Sequence, residues 1–287
     1  MRLPFFLARR FVAAEDFPGT IPIVRDLNSK GLTVTLDLLG EYTSDRSVAA
    51  QKTDAYVNLL ERISEEKQTD TLKANISIKL SGLGQKIDQE LCKANLSRLL
   101  ETAKEKDIFV RLDMEGSDLT ESTISIFESA YPDYPDHVGI VLQAYLHRTT
   151  EDVARMCEMN ARVRICKGAY KEPASIAYQD MPTIREHFVE HMQKLISDGR
   201  YPGIATHDDI LINATKRFVE DNAIPNDRYE FQMLYGVRPH TQEEIAADGY
   251  RMRVYVPFGT EWLPYYSRRI RERKENLWFV LRNLFKH

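Results

Sequence analysis

Eight short apolar segments recur along the chain, and most of them are followed by a stretch with the apolar periodicity of an amphipathic helix. They are "LTVTLDLLG" from Leu32, "ANISIKLSG" from Ala74, "IFVRLDMEG" from Ile108, "VGIVLQAYL" from Val138, "RVRICKGAY" from Arg162, "GIATHD" from Gly203, "YEFQMLYG" from Tyr229 and "MRVYVPFG" from Met252. Eight strand–helix units in 287 residues predict an α/β protein, a single-domain (β/α)8 TIM-type barrel. We expect residues 1–30 to form an N-terminal helical segment and residues 31–287 the barrel with a C-terminal helix.

Polar and apolar side chains alternate within several of these strands. Because the apolar set must pack against the outer helices, the polar set is expected to face the barrel axis. Near the carboxyl ends it comprises Asp37, Lys79, Asp113, Gln143, Arg164, His207, Gln232 and Tyr255. Barrel enzymes act at that end, so these residues predict a site. The lower residues Arg111, Arg162, Glu230 and Arg253 are predicted to form a satisfied ion-pair layer.

The stretch "VPFGTEWLPYYSRRIRERKEN" follows the last predicted strand. On a helix, Tyr265, Arg268, Arg269 and Glu272 stand at positions i, i+3, i+4 and i+7, so they share one face. A guanidinium grips a carboxylate bidentately, and adjacent arginines can equally be a solvated face. The spacing leaves both interpretations open.

Composition narrows the class of protein. The net charge of −4 gives no indication of nucleic-acid binding, and three cysteines without CxxC spacing predict free thiols in a reducing compartment. No apolar run approaches the ~20 residues of a membrane span, and the apolar start is too short for a signal peptide. We therefore expect a cytoplasmic protein. The final stretch "NLWFVLRNLFKH" is interpreted as a helix that caps the barrel, with a membrane or partner contact as the alternative.

The sequence "HFVEH" at His187–His191 matches a short zinc-binding pattern. Its two histidines stand at i and i+4 of a predicted helix and could chelate a metal. The segment is expected on the exposed side of an outer helix, without an obvious third ligand. We therefore predict no metal site.

Several motifs taken together resemble the proline dehydrogenase family, in its monofunctional bacterial type. They are "VRLDMEGSD", "RICKGAYKE", "GIATHD", "EFQMLYGVR" and "RVYVPFGTEWLPYYSRRIRER", which occur in the family's order and spacing. The resemblance implies a flavoenzyme that oxidises L-proline to Δ1-pyrroline-5-carboxylate, with FAD as cofactor and a membrane quinone as acceptor. It further implies peripheral association with the inner face of the membrane and transient contact with pyrroline-5-carboxylate dehydrogenase. Lys171 stands where bifunctional relatives tend to carry tryptophan.

The resemblance also implies roles for individual residues. Arg268 and Arg269 match the family's carboxylate clamp, with Lys79 as a third cation, and Tyr265 borders the substrate ring. Asp113, Arg164 and Tyr255 are the implied catalytic residues, with Asp113 paired to Lys79. The implied flavin contacts are Met114, Gln143, Arg164, Lys167, Gly168, Ala169, Thr206 and His207.

Two other functions remain open on the residues alone. A class I aldolase is also a (β/α)8 enzyme, and Lys79 or Lys167 could form its Schiff base. A non-catalytic amino-acid binding protein would use the same arginines without chemistry.

Overall fold

The computed structural model describes residues 4–40, 43–69 and 72–272, without the side chains of Thr69 and residues 270–272. Its eight parallel strands close into a barrel in chain order, which confirms the predicted (β/α)8 fold. The strands are β1 (Thr33–Leu38), β2 (Ala74–Ile78), β3 (Val110–Leu112), β4 (Val138–Gln143), β5 (Arg162–Cys166), β6 (Gly203–Ala205), β7 (Glu230–Leu234) and β8 (Met252–Phe258).

Helices follow the strands, and one precedes them. They are α1 (Phe17–Ser29), α2 (Arg46–Thr69), α3 (Gln89–Glu105), α4 (Ser117–Ala130), α5 (Thr149–Glu158), α6 (Met181–Asp198), α7 (Asp209–Asp221), α8 (Pro239–Ala247) and α9 (Trp262–Glu272). Asp16, Asp88, Asp180 and Asp208 cap α1, α3, α6 and α7 by accepting a hydrogen bond from a backbone N–H of the first turn. Helix α1 precedes β1, and the division at residue 30 stays a prediction.

The main hydrophobic core lies between the barrel and its helices. Outward-facing residues such as Leu36, Ile76 and Val110 are fully buried there. Their inward-facing neighbours in the strands are polar, as the alternation predicts. The barrel interior is therefore lined by charged and hydrogen-bonding groups, where branched apolar residues are more usual.

Two glycines make room for long inward side chains. A Cβ at Gly139 in β4 would lie 2.6 Å from Nη1 of Arg111, and one at Gly203 in β6 would lie 2.3 Å from Nε2 of Gln232. Both contacts are closer than real Cβ atoms make. Gly139 pairs in register with Arg111 and with Arg162, and Gly203 pairs with Arg164. The absence of a side chain at these positions lets the large polar side chains occupy the barrel.

The prediction that "HFVEH" lies on an exposed helix face is wrong for one of its histidines. His191 is buried, with Nε2 at 3.1 Å from the Thr150 hydroxyl, because α6 packs this side against α5. Burial, with the charge of His187 as a second cause, lowers the pKa of His191 to about 4. Among the described residues, no group of three or more histidines, cysteines or carboxylates could hold a metal ion.

No helix within the described ranges combines the length and apolar character needed to span a bilayer.

Candidate active site

Four of the predicted site residues meet around one carboxylate at the carboxyl end of the barrel. Asp113, which follows β3, accepts a hydrogen bond from Arg164 of β5 (Nη1 to Oδ1, 2.8 Å) and from the hydroxyl of Tyr255 in β8 (2.6 Å to Oδ2). Lys79, which follows β2, lies 3.6 Å from the same carboxylate. The predicted pairing of Lys79 with Asp113 is confirmed. The carboxylate of Asp113 is shared by Lys79, Arg164 and Tyr255.

Two further residues complete this charged cluster, of which the sequence predicted Asp37 as an inward site residue without a partner and did not predict Ser77. Asp37 of β1 lies 3.0 Å from Nζ of Lys79, closer than Asp113 does. Ser77 of β2 donates its hydroxyl to Oδ1 of Asp113 at 2.6 Å. The inward position of Asp37 in its strand was a signal for it, whereas a serine in a strand carries no signal of its own. The cluster holds two carboxylates and two cations, so its charges balance.

Burial and charge together determine protonation in the cluster. Burial raises the pKa of Asp37, although Lys79 opposes it. For Asp113, burial is outweighed by the positive charges of Lys79 and Arg164, and its pKa is lowered. Burial would likewise lower the pKa of Lys79, but Asp37 and Asp113 outweigh it and the pKa is raised. Lys79 is therefore a permanent cation near neutral pH.

This environment is unsuited to a Schiff-base lysine at position 79. Such a lysine must be neutral to attack a carbonyl, and its pKa is ordinarily depressed by an apolar pocket or a neighbouring cation. Lys79 has the opposite surroundings, because two carboxylates hold its proton. The same geometry suits a residue that positions charge.

A second layer of inward side chains lies below the charged cluster, and its arginines have different kinds of partner. Nε of Arg253 donates to Glu230 at 2.7 Å, as the predicted ion-pair layer requires. Arg111 instead donates to the backbone carbonyls of Ile140 and Arg162, and the guanidinium groups of Arg111 and Arg162 lie over the ring of Phe109. The prediction of ion pairs is therefore wrong for these two arginines, because carbonyl oxygens and a π face take the place of carboxylates.

Gln232 joins the two layers. Its Oε1 accepts from Nε of Arg164, and its Nε2 donates to Glu230 at 2.6 Å. The single side chain therefore connects the arginine of the charged cluster to the carboxylate of the lower layer.

The residues predicted to meet a cofactor begin with Lys167, just beyond β5. Its Nζ lies 2.9 Å from Asp208, which also accepts from Nε of Arg185 at 2.8 Å. Although burial opposes it, hydrogen bonds from Arg185 and Lys167 lower the pKa of Asp208. Two cations on one carboxylate leave a local positive charge, which suits an anionic ligand. Arg185 and Asp208 were missed by sequence reasoning because they lie on other elements.

The adjacent loop packs closely against Tyr145 at Gly168. Gly168 adopts φ +114°, and a Cβ there would meet the ring of Tyr145 at 2.3 Å. Ala169, next along the loop, is exposed.

Of the five exposed large hydrophobic side chains among the described residues, Ile176 lies in the segment that joins β5 to α6 and Met181 begins α6, with its Sδ 3.6 Å from Nζ of Lys167. A third, Ile210, stands in the first turn of α7, two residues after Asp208. Apolar surface beside a cationic site suits a ligand with both an anionic and an aromatic part.

The remaining predicted cofactor residues line the same end of the barrel. Gln143, at the end of β4, is buried and donates to the carbonyl of Glu115 at 2.9 Å, and Met114 is buried after β3. The hydroxyl of Thr206 accepts from the N–H of Asp208 at 3.1 Å. Nε2 of His207 accepts from the N–H of Leu234 at 2.9 Å, so this nitrogen carries no proton.

Helix α9 starts four residues after β8 ends and carries the three remaining predicted residues. Tyr265 is buried in an aromatic cluster, and the guanidinium carbon of Arg269 lies 5.2 Å from the centre of its ring. Arg268 and Arg269 are both half-buried. The side chain of Glu272 and the whole C-terminal stretch 276–287 lie outside the described residues.

Comparisons with known proteins agree on one family. The family model described as proline dehydrogenase matches residues 21–282. Proline dehydrogenase 1 of Bacillus subtilis subsp. natto is 40% identical over 279 residues, covering 97% of this chain and 91% of the relative. The proline dehydrogenase of Deinococcus radiodurans is 38% identical over 284 residues, covering 98% and 90%.

Among solved structures, proline utilization A (PutA) from Bdellovibrio bacteriovorus, inactivated by N-propargylglycine, superposes with a TM-score of 0.86 at 25% identity. The alignment covers 93% of this chain and 32% of that one. The chain therefore matches in sequence, extent and fold, and it belongs to the proline dehydrogenase family, oxidoreductases of proline catabolism.

Proposed function

We propose that the chain is an FAD-dependent enzyme that oxidises L-proline to Δ1-pyrroline-5-carboxylate and passes the electrons to a membrane quinone. The observation that carries the proposal is the buried cluster of Asp37, Lys79, Asp113, Arg164 and Tyr255 at the carboxyl end of the barrel. The helix that bears Arg268 and Arg269 begins four residues after β8, the strand of Tyr255. A balanced set of buried charges, with two more guanidinium groups nearby, suits a small zwitterionic substrate.

The carboxylate of proline is held by Arg268 and Arg269. Lys79 already has two carboxylate neighbours, so its charge is largely compensated before substrate arrives. The arginines of α9 are assigned the main contact with the substrate's acid group because a guanidinium grips a carboxylate bidentately, and Lys79 contributes as a third cation. Tyr255 and Tyr265 border the apolar ring of the substrate.

Asp113 is the organising carboxylate. It keeps Arg164, Tyr255 and Lys79 in one arrangement, and its charge offsets those of Lys79 and Arg164. Arg164 points from β5 into the site and stabilises negative charge that develops near the end of that strand. The substrate must react with a neutral amine, because only then does the nitrogen have a lone pair to expel hydride from the neighbouring carbon.

The residues present fit FAD. Lys167 and Arg185, which share Asp208, supply positive charge for the diphosphate, and Gly168 and Ala169 lie beside Lys167 in the same loop. Gln143, Thr206, His207 and Met114 lie at the same barrel end and would contact the ring system together with Arg164. When bound, FAD accepts the hydride removed from the substrate.

The electron acceptor and the partners are proposed on the resemblance. A quinone dissolved in the bilayer requires the protein to reach the membrane surface, so we place it in the cytoplasm and at the inner face of the membrane. Bifunctional protein PutA of Escherichia coli is 26% identical over 318 residues, and the match covers 24% of it. That similarity supports transient contact with pyrroline-5-carboxylate dehydrogenase, which would take the product.

The test is a visible spectrum of the purified protein, supplemented with FAD, before and after anaerobic L-proline. We expect flavin absorbance that bleaches with L-proline and not with D-proline or with pyrrolidine, which lacks the carboxylate. Lys167→Ala should lose flavin on gel filtration, whereas Lys171→Ala, a matched lysine in the same loop, should retain it. Protein that stays colourless after addition of FAD, or that binds proline without bleaching, would contradict the proposal.

A further inference from the structure

The aromatic face of α9 does not pack into the main core. Trp262, Tyr265 and Tyr266 are buried in a second hydrophobic cluster that is separate from the core around the barrel. Trp262, Tyr265, Tyr266 and Arg269 stand at i, i+3, i+4 and i+7, so Arg269 lies on the same helical face as the three aromatic residues. Whatever covers this face therefore determines where Arg269 points.

The start of the chain covers it. Residues 5–14, which we call the N-terminal strap, supply Leu7, Ala8, Phe11 and Val12 to the second cluster, and Leu39 is its other buried member outside α9. The ring of Phe5 meets Trp262 edge to face with centroids 6.0 Å apart, and Phe11 lies 6.5 Å from Tyr266. Phe11 is 1% exposed although it lies near the start of the chain.

The strap is itself fixed to the barrel. The N–H of Ala13 donates to the carbonyl of Pro257 at 2.9 Å, and the N–H of Gly259 donates to the carbonyl of Ala14 at 2.9 Å. Beyond β7, the chain passes so close to the strap that a Cβ on Gly236, where φ is +72°, would lie 1.6 Å from the carbonyl oxygen of Arg10. These contacts hold the strap on the ends of β7 and β8.

We propose that the N-terminal strap is a positioning element for substrate binding, and that Phe11 acts through Tyr266 to hold Arg269 in place for the substrate carboxylate. The inference rests on the proposed role of Arg268 and Arg269. The ring of Phe11 packs on Tyr266, Tyr266 fixes the rotation of α9, and the neighbouring Tyr265 carries the guanidinium of Arg269 on its ring. Because a bidentate contact requires accurate geometry, a small rotation of α9 weakens carboxylate binding without disturbing the barrel.

Phe11→Ala tests the proposal against a matched control, Phe127→Ala, which removes an equally buried ring from α4 in the outer core. We expect Phe11→Ala to raise KM for proline about tenfold, the size of one weakened charge-assisted bond, with kcat within about twofold and flavin content unchanged. Phe127→Ala should lower Tm and leave KM unchanged. Phe11→Leu keeps apolar bulk and should recover most of the binding. It is the variant in which KM is measured if Phe11→Ala does not fold.

Fluorescence provides a readout independent of activity. The chain has two tryptophans, Trp262 and Trp278, so Trp278→Phe leaves Trp262 as the reporter of the strap cluster. In that background Phe11→Ala should shift the emission of Trp262 to the red as water reaches it, and Phe127→Ala should not.

The double variant Phe11→Ala with Arg269→Ala separates the possible failures. If Phe11 acts through Arg269, the two effects on KM are not additive, and the double variant resembles Arg269→Ala. If Arg269→Ala raises KM and Phe11→Ala does not, the strap is packing only and the proposal is wrong. If neither variant changes KM, the carboxylate role of Arg269 has failed, and with it the basis of the inference.

Discussion

The two layers of charge inside the barrel have similar residues and different partners. In the upper layer Asp37 and Asp113 face Lys79 and Arg164, so each cation has a carboxylate. In the lower layer Arg253 pairs with Glu230, whereas Arg111 donates to backbone carbonyls and the guanidinium groups of Arg111 and Arg162 lie over the ring of Phe109. Carbonyls and packed rings belong to the scaffold and cannot respond to a ligand, whereas side-chain carboxylates and hydroxyls can.

The comparison therefore gives a criterion for inward charges in a barrel. Where a buried cation is held by the backbone, its role is structural. Where it is held by side chains at the carboxyl end of the strands, it is available for chemistry.

The largest effect is expected from Glu230→Gln in the lower layer. The change leaves Arg253 without its carboxylate, and breaking a buried pair from one side typically costs about 3–5 kcal/mol of unfolding free energy. Burial opposes ionisation of Glu230, but Arg253 outweighs it and lowers its pKa to about 2. Its stabilisation is therefore present above its ordinary pKa of 4.5 and is lost as the pH falls from there toward 2.

Urea unfolding of both proteins at pH 7 and at pH 3 measures this effect. The difference between them should be largest at pH 7 and should shrink at pH 3. A pH-independent difference would show that Glu230 stabilises the barrel by packing and not by charge.

Asp113→Asn should affect catalysis more than stability. The amide keeps the shape of the carboxylate and removes the charge shared by Arg164, Lys79 and the Tyr255 hydroxyl. Loss of such charged hydrogen bonds costs ~1.5–3 kcal/mol, so kcat/KM for proline should fall roughly ten- to a hundredfold. Stopped-flow reduction by proline, with flavin content as control, is the measurement. An unchanged kcat/KM would remove Asp113 from the mechanism.

Gln232→Leu should perturb both layers at once. It removes the acceptor of Arg164 and one donor to Glu230, so a loss of about 1–2 kcal/mol is expected in stability and a comparable loss in the activation free energy. Parallel measurement of urea unfolding and kcat/KM tests the link. An effect on stability alone would mean that the two layers act independently.

A matched pair of hydroxyl deletions gives the sharpest contrast. Tyr255 donates to Asp113 at 2.6 Å in the upper layer, and Tyr201 donates to Glu230 at 3.1 Å in the lower layer. Each Tyr→Phe change removes one hydrogen bond to a carboxylate, worth ~1 kcal/mol. Tyr255→Phe should lower kcat/KM about fivefold, whereas Tyr201→Phe should change only Tm. A kinetic effect from Tyr201→Phe would contradict the separation of the layers.

The smallest effect on the protein itself is expected from pH between 6 and 9. The pKa of Lys79 is raised by its carboxylate neighbours and that of Asp113 is lowered by its cations, so neither changes charge in this range. The rate of flavin reduction by subsaturating proline should nevertheless rise with pH, because the free amine is the reacting form. Burial raises the pKa of Asp37, so the control is Asp37→Asn, in which the rise should persist. A rise that vanishes in this variant would assign the titration to Asp37.

The alternation of single strands was sufficient to predict much of the site. Asp113 and Arg164 were placed inward by their apolar neighbours, and their position at strand ends predicted a shared site. Their direct contact, 2.8 Å from Nη1 to Oδ1, came from the structure. Which of these side chains pair with each other was harder to predict from the sequence. Lys79 lies closer to Asp37 than to Asp113, and Lys167 pairs with Asp208 and through it with Arg185, which no spacing along the chain indicates. Likewise the sequence predicts His191 on an exposed helix face, and only the packing of α5 against α6 shows that it is buried.

The sequence by itself determined the barrel, because periods of two and 3.6 residues are local and each of the eight units repeats them. It also determined which strand residues face the axis. Only the tertiary structure decided which of those side chains are neutralised by carboxylates and which by backbone, and which segment covers α9. Those contacts join positions at opposite ends of the chain, such as Phe11 and Tyr266, and arise from the closure of the barrel, which brings β8 beside β1 and the first residues against the last described helix.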